Sequence, residues 1–99
     1  MRRGCKRDAN HAELTGYLEQ CSWRVVDTSA VGPNAVAGFP DVIAVSGETV
    51  VLCEFKTEHG HLTPDEQVFR LSWPGHYAVL RTLDDVLSMT RKYLVGRMQ

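Results

Sequence analysis

The stretch "GFPDVIAVSGETVVLCEFK", residues 38–56, sets two apolar runs on either side of "GE" and places Asp41, Glu54 and Lys56 at their outer ends. "PDVIAVS" and "TVVLCEF" have the length and the β-branched content of strands. The two residues between them, Gly47-Glu48, are a tight-hairpin connection. Counting outward from that turn brings Asp41 opposite Glu54, to within a residue. Side chains on a strand alternate between faces, so Glu54 and Lys56 share one side with Leu52, and Val51, Cys53 and Phe55 share the other. One face of the hairpin is therefore apolar, and the other turns polar towards the end of its second strand. Two converging carboxylates are what a hard, water-retaining cation such as Mg²⁺ takes up. An ammonium beside it could orient a water or stabilise charge on a phosphoryl group. An ordinary ion pair on a wet sheet face accounts for the same residues, and spacing alone leaves both readings open.

Working outward, "DANHAELTGYLEQC" (residues 8–21) carries Leu14, Tyr17, Leu18 and Cys21 at helical spacing, with Asp8 or Asn10 as a possible cap. "WRVVDT" reads as a short strand and "SAVGPNAVAG" as a loop punctuated by Gly and Pro. Beyond the hairpin, "KTEHGHL" is a polar loop. Thr63, Pro64 and Glu66 then give a capping box with proline in the first helical position, and "WPG" (residues 73–75) ends that helix. "HYAVLR" is a fourth strand. A last helix opens at Thr82, with Leu83, Val86, Leu87, Thr90 and Leu94 along one stripe. The order is αβββαβα, an α/β domain with one mixed sheet flanked by helices and a right-handed crossover to the fourth strand.

With 99 residues, 43% of them hydrophobic and 23% charged, the chain has material for one modest core and no second domain. Residues 1–99 form a single domain whose first seven residues, with Arg2, Arg3, Lys6 and Arg7, read as a basic arm. Arg91, Lys92 and Arg97 add charge near the other end. A net charge of −1 makes no case for nucleic acid by itself. Cys5, Cys21 and Cys53 are odd in number and lack CxxC spacing, which argues against a disulfide framework or structural zinc. No apolar run reaches membrane-span length, and no apolar core follows the basic start as in a signal peptide. The expectation is a cytoplasmic protein.

Asp41, followed after twelve residues by Glu54-Phe55-Lys56 and preceded by Pro40, resembles the PD-(D/E)xK nuclease signature. The flanks narrow it: "DANHAEL", "GFPD", "LCEFK" and "LTPDEQVF" in this order are similar to the VRR-NUC family, in particular its small stand-alone phage-type members. The likeness runs from about Asp8 to about Leu87. It implies the restriction-endonuclease-like core, with Asp41 and Glu54 as metal ligands and Lys56 as the catalytic lysine. It also implies the Phe55 carbonyl as a further metal ligand, Glu13 as the helical carboxylate reaching the metal, and Gln67 as a residue beside the lysine that positions phosphate or water. Read locally, Glu13 is instead the partner of Asn10 in a capping box, and Gln67 an exposed helix position. Nothing is assigned to His11.

The activity implied is that of a Mg²⁺-dependent endonuclease, with Mn²⁺ able to substitute, leaving a 5′-phosphate and a 3′-hydroxyl. With no recognition module in the chain, shape and phosphates are the readable features of a substrate. Stand-alone members of the family resemble Holliday-junction resolvases, so the expected substrate is branched DNA and the expected state a homodimer with two sites on a two-fold junction. The rivals are a nuclease-fold module that binds DNA or protein without cutting, and a subunit active only within a larger assembly. Weaker candidates are His59 and His61 (a His-x-His pair without a third ligand), Glu58 at the site's edge, and Trp23, Phe69, Trp73 and Tyr77 as base-stacking residues. For those aromatics the core or a subunit interface is the plainer role. A glycosidase built on Asp41 and Glu54 leaves Lys56 idle.

Overall fold

The computed structural model describes residues 4–28 and 36–95, and side chains from residue 10 to residue 94 within them. The chain runs α1 (Gly4–Gln20), β1 (Arg24–Asp27), β2 (Val42–Ser46), β3 (Thr49–Phe55), α2 (Pro64–Ser72), β4 (His76–Leu80) and α3 (Leu83–Thr90), with a π-helical turn at Arg91–Val95. The sheet order is β1-β2-β3-β4. The first three strands pair antiparallel and β4 joins β3 in parallel through α2, so the architecture is α/β with a mixed four-stranded sheet. This is the αβββαβα order expected from the sequence.

Register follows from the turn. Ser46 faces Thr49 across Gly47-Glu48, and Gly47 takes φ +61°, a conformation open to glycine without steric cost. From there Val42 pairs with Cys53 and Ala44 with Val51. These four side chains, with Phe55 and Leu80, form the sheet's part of the core. Leu14 and Leu18 of α1, Val86 and Met89 of α3, and Trp23 complete it, all buried. Trp23 Nε1 donates to Thr90 Oγ1 at 3.0 Å, which lets a large amphipathic ring sit inside the core with its polar edge satisfied. Cys53 lies within the same layer, and burial pushes its thiol up to about 12, so it stays a neutral packing group.

Three expectations need correction. α1 starts at Gly4, so Asp8 and Asn10 are interior helix residues and the Asn10–Glu13 capping box does not form. Residues 4–7 of the basic arm are thus continuous with α1; residues 1–3, the side chains of Lys6 and Arg7, Arg97 and most of "SAVGPNAVAG" lie outside the described residues. The stripe on α3 differs in part: Val86 and Met89 are buried, whereas Leu83 and Leu87 are exposed. Val86, Thr90 and Leu94 of the expected stripe do meet the core, Thr90 by accepting from Trp23 Nε1, so the difference lies in Leu83 and Leu87, which Met89 replaces.

α2 is held differently from the other helices. Its capping box is complete, with Glu66 N donating to Thr63 Oγ1 and Thr63 N donating to Glu66 Oε1, but none of its residues is buried. It is anchored by Phe69, edge-on to Phe39 at 5.2 Å, and by a close backbone approach at Gly38. Gly38 has φ +76°, and a Cβ there would overlap the Asp65 carbonyl at the start of α2. Gly38→Ala is therefore expected to cost roughly 2–4 kcal/mol, from left-handed backbone and lost close approach together. A urea titration of the variant checks this by the fall in midpoint.

Candidate functional site

The polar end of β3 is where strand parity, hairpin register and the α2 cap meet. Val42 and Cys53 are opposite each other, so the next residues out, Asp41 and Glu54, sit side by side on the other face. Asp41 is fixed by an N–H of the neighbouring strand: Phe55 N donates to Asp41 Oδ2 at 2.8 Å. Lys56, two residues after Glu54, reaches back over the same face. Its Nζ lies 3.6 Å from Glu54 Oε2 and 2.8 Å from Glu66 Oε1. Glu66 comes from the first turn of α2, where it also closes the capping box. One carboxylate thus ties the helix start to the lysine of the sheet.

Glu54 is the unusual member. It is 4% exposed, the one charged side chain in the buried set among the described residues. Its Oε1 is buried with no hydrogen-bond partner. Burial, followed by the negative charges of Asp41 and Glu66, pushes its carboxyl up to about 9, so at neutral pH it holds a proton. Burial works against the charge on Lys56 and on Glu66 as well. Their mutual hydrogen bond and the surrounding fields outweigh it, so Lys56 is held above its ordinary value and Glu66 below. Tyr77 borders the cluster; its hydroxyl is buried without a partner, and burial with the charges of Glu54 and Glu66 raises it.

The cluster therefore sets two charged carboxylates, Asp41 and Glu66, and the protonated Glu54 against one ammonium in a partly dry corner. Such a group is short of positive charge and carries an unused buried oxygen. A hard divalent cation would remedy both, and the oxygen donors Asp41 and Glu54 suit one. Among the described residues, however, no group of three or more His, Cys, Asp or Glu side chains is arranged as a ready metal site.

Several other sequence candidates are held by partners of their own. Glu13 is exposed and accepts a hydrogen bond from Tyr17 Oη at 3.0 Å, one helical turn along, and is not brought into the cluster. α1 does reach the corner through Asn10, whose Nδ2 donates to the Lys56 carbonyl at 3.4 Å. Gln67 donates through Nε2 to the Leu62 carbonyl at 3.1 Å and lines a groove beside the cluster. His11 packs edge-on to Phe55, with ring centroids 4.9 Å apart. His59 and Glu58 are exposed on the loop after β3, and His61 lines the same groove as Gln67. Of the aromatics, Trp23 is core, whereas Phe69 lies between Phe39, Tyr77 and Trp73, stacked on the last at 5.7 Å. Glu66 and Tyr77 were read from the sequence as a capping residue and a stacking aromatic, and their place beside Glu54 and Lys56 was not. The capping box accounted for Glu66 in full and hid its second partner.

No helix among the described residues is long and apolar enough to cross a membrane. Comparison with protein-family models, with curated proteins and with solved structures finds no match for the chain.

Proposed function

We propose that the chain is a metal-dependent endonuclease that hydrolyses phosphodiester bonds in branched DNA, with the restriction-endonuclease-like core of the VRR-NUC family. The observation that carries this reading is the buried Glu54, paired across the hairpin with Asp41 and touched by Lys56. Asp41 and Glu54, with the Phe55 carbonyl, would hold Mg²⁺ or Mn²⁺. Glu13, the helical carboxylate of the family likeness, would join that set through the oxygen that Tyr17 leaves open. When bound, the ion supplies an acidified water and neutralises charge on the scissile phosphate. Binding also discharges the proton that Glu54 holds in its absence, because a ligating carboxylate is ionised.

Lys56 stands 3.6 Å from Glu54 and is held fully charged, so its ammonium faces the place where negative charge develops during phosphoryl transfer. Glu66 fixes the lysine's position, and Gln67, on the same helical turn, faces the approach to the site. The family likeness, not the geometry, points to branched DNA and to a homodimer. Exposed Val68 on α2 and Trp73 just after it are apolar surface that a second copy would cover.

The test is a cleavage panel of single-stranded, duplex, flap and four-way-junction DNA in Mg²⁺, Mn²⁺ or EDTA. The expected outcome is metal-dependent cutting with four-way junctions preferred by at least about tenfold over linear duplex. Equal cutting of duplex removes the junction part of the proposal. Saturable binding with no cutting in either metal favours the non-cutting module instead.

A further inference from the structure

A groove of about 660 Å³ opens between α2, the loop before it and the end of β4, and its walls include His61, Gln67, Arg70, Val79 and Arg81. Its position is fixed by the sheet. Val79 is the parallel partner of Glu54, so the groove begins one strand away from the acidic cluster and on the same face. The two ends of this face differ in charge. Around Glu54 lie the carboxylates, whereas the groove has two arginines and a histidine on its walls and no carboxylate.

Both arginines are set in place rather than loose. Arg81 donates through Nη2 to the Gly60 carbonyl at 2.9 Å, which clamps the 57–62 loop to the end of β4 and leaves its other N–H donors free of that bond. Arg70 lies over the Tyr77 ring, with Cζ 5.8 Å from the centroid. Among the described residues no carboxylate stands within ion-pair distance of either guanidinium. A guanidinium held by a neutral carbonyl or a ring face keeps its charge for another partner. Gln67, with its amide nitrogen on the Leu62 carbonyl, presents a further neutral polar group at the boundary between groove and cluster.

We propose that this groove is a binding track for the phosphodiester backbone of one nucleic-acid strand, gripped at Arg70 and Arg81 and led towards Glu54 and Lys56. This rests on the nuclease reading for what happens at the end of the track, but the binding itself does not need it. The volume suits a short piece of one strand rather than a duplex, since pockets of about 300–1,000 Å³ take single small-molecule-sized groups. Two fixed guanidiniums without internal counter-charge are the groups that grip phosphates, and such contacts position a strand without reading its sequence. An acidic protein segment would meet the same charges. The strand is preferred because the groove leads to a site with a cation-deficient cluster and a lysine suited to phosphate chemistry.

The experiment is fluorescence anisotropy of a labelled single-stranded oligonucleotide with the full chain in EDTA, where binding is read without cutting. Variants are Arg70→Glu, Arg70→Glu with Arg81→Glu, and Lys92→Glu as a control exposed on the π-helical turn. Arg70 is exposed, so its single variant keeps the test valid if loss of the Arg81 clamp unsettles the loop. Expected is weakening by at least about tenfold for the double variant and several-fold for Arg70→Glu, with the slope of log Kd on log salt reduced by about 1. Lys92→Glu is expected to bind as the unaltered chain does. Unchanged binding by Arg70→Glu, an equal loss in Lys92→Glu, or displacement of the oligonucleotide by polyglutamate as readily as by unlabelled DNA overturns the proposal. Groove-dependent binding without cutting in any metal upholds the track and removes the nuclease reading. Cutting that Arg70→Glu leaves untouched, in rate and in binding, does the reverse.

Discussion

Glu54→Gln is expected to melt about 5–15 °C above the unaltered chain at pH 8.5 in EDTA, and within about 3 °C of it at pH 5. The reason is the proton on Glu54. In the unfolded chain that carboxyl titrates near its ordinary 4.5; in the fold it is pushed up to about 9. A group raised in the fold contributes fully below the unfolded value, and its stability is lost as pH climbs towards the folded one. The loss grows across the window from about 4.5 to about 9 and reaches the order of a few kcal/mol, with Lys56 at 3.6 Å offsetting part of it. Glutamine has the size of the protonated form and donates in its place to Asp41 or Glu66, so the variant escapes the penalty. Under the proposed function it also loses the ligand. Millimolar Mg²⁺ should raise the midpoint of the unaltered chain at pH 8.5 and leave that of Glu54→Gln where it was. Thermal melts of both proteins across pH, with and without Mg²⁺, check all of this. A midpoint for the unaltered chain that rises from pH 5 to 8.5 relative to the variant would contradict the burial argument.

Lys56→Ala is expected to lower the rate of metal-dependent cutting by at least about 10²-fold while leaving the Mg²⁺-induced rise in melting temperature in place. The two effects separate because Lys56 carries no metal-ligating atom, whereas its ammonium is, among the described residues, the one positive charge touching Glu54 and Glu66. Without it the three carboxylates stand alone, so the variant should be less stable than the unaltered chain above pH 7 in EDTA, and Mg²⁺ should restore most of that difference. Single-turnover cutting of a junction, paired with melts in Mg²⁺ and EDTA, measures both. Loss of the Mg²⁺ effect together with the cutting would make Lys56 a structural member of the metal site and not a group acting on the substrate.

The parts of the site legible in the sequence are those that local rules determine. The two-residue turn determines the register, the register makes Asp41 and Glu54 neighbours, and strand parity places Lys56 on their side; none of these steps needs tertiary information. The α2 cap is equally local, with Thr63, Pro64 and Glu66 reading directly as a helix start. What the sequence did not disclose depends on how elements pack. Glu66 meets Lys56 only because α2 folds back along the sheet, an approach permitted by the missing Cβ of Gly38. Glu13 shares α1 with Leu14 and Leu18, and the rotation that buries those two leaves Glu13 exposed beside Tyr17. The start of α1 was missed for another reason: Cys5, Lys6 and Arg7 are acceptable helix residues, and charge alone had marked them as an arm. The single stripe read on α3 holds at Val86, Thr90 and Leu94 but not at Leu83 and Leu87; the burial of Met89 in their place depends on how the helix packs against Trp23 and the sheet.

The most direct measurement is the cutting of a labelled four-way junction by the unaltered chain and by Asp41→Asn, each in Mg²⁺ and in EDTA. Asp41 is the residue to change, because it meets Glu54 across the hairpin and is oriented by the Phe55 N–H, yet lies at the edge of the core. Products are expected from the unaltered chain in Mg²⁺ only, and none above background from Asp41→Asn, with both proteins melting cooperatively. Cutting by Asp41→Asn at the unaltered rate, or no products from the unaltered chain in any divalent metal, would contradict the nuclease reading.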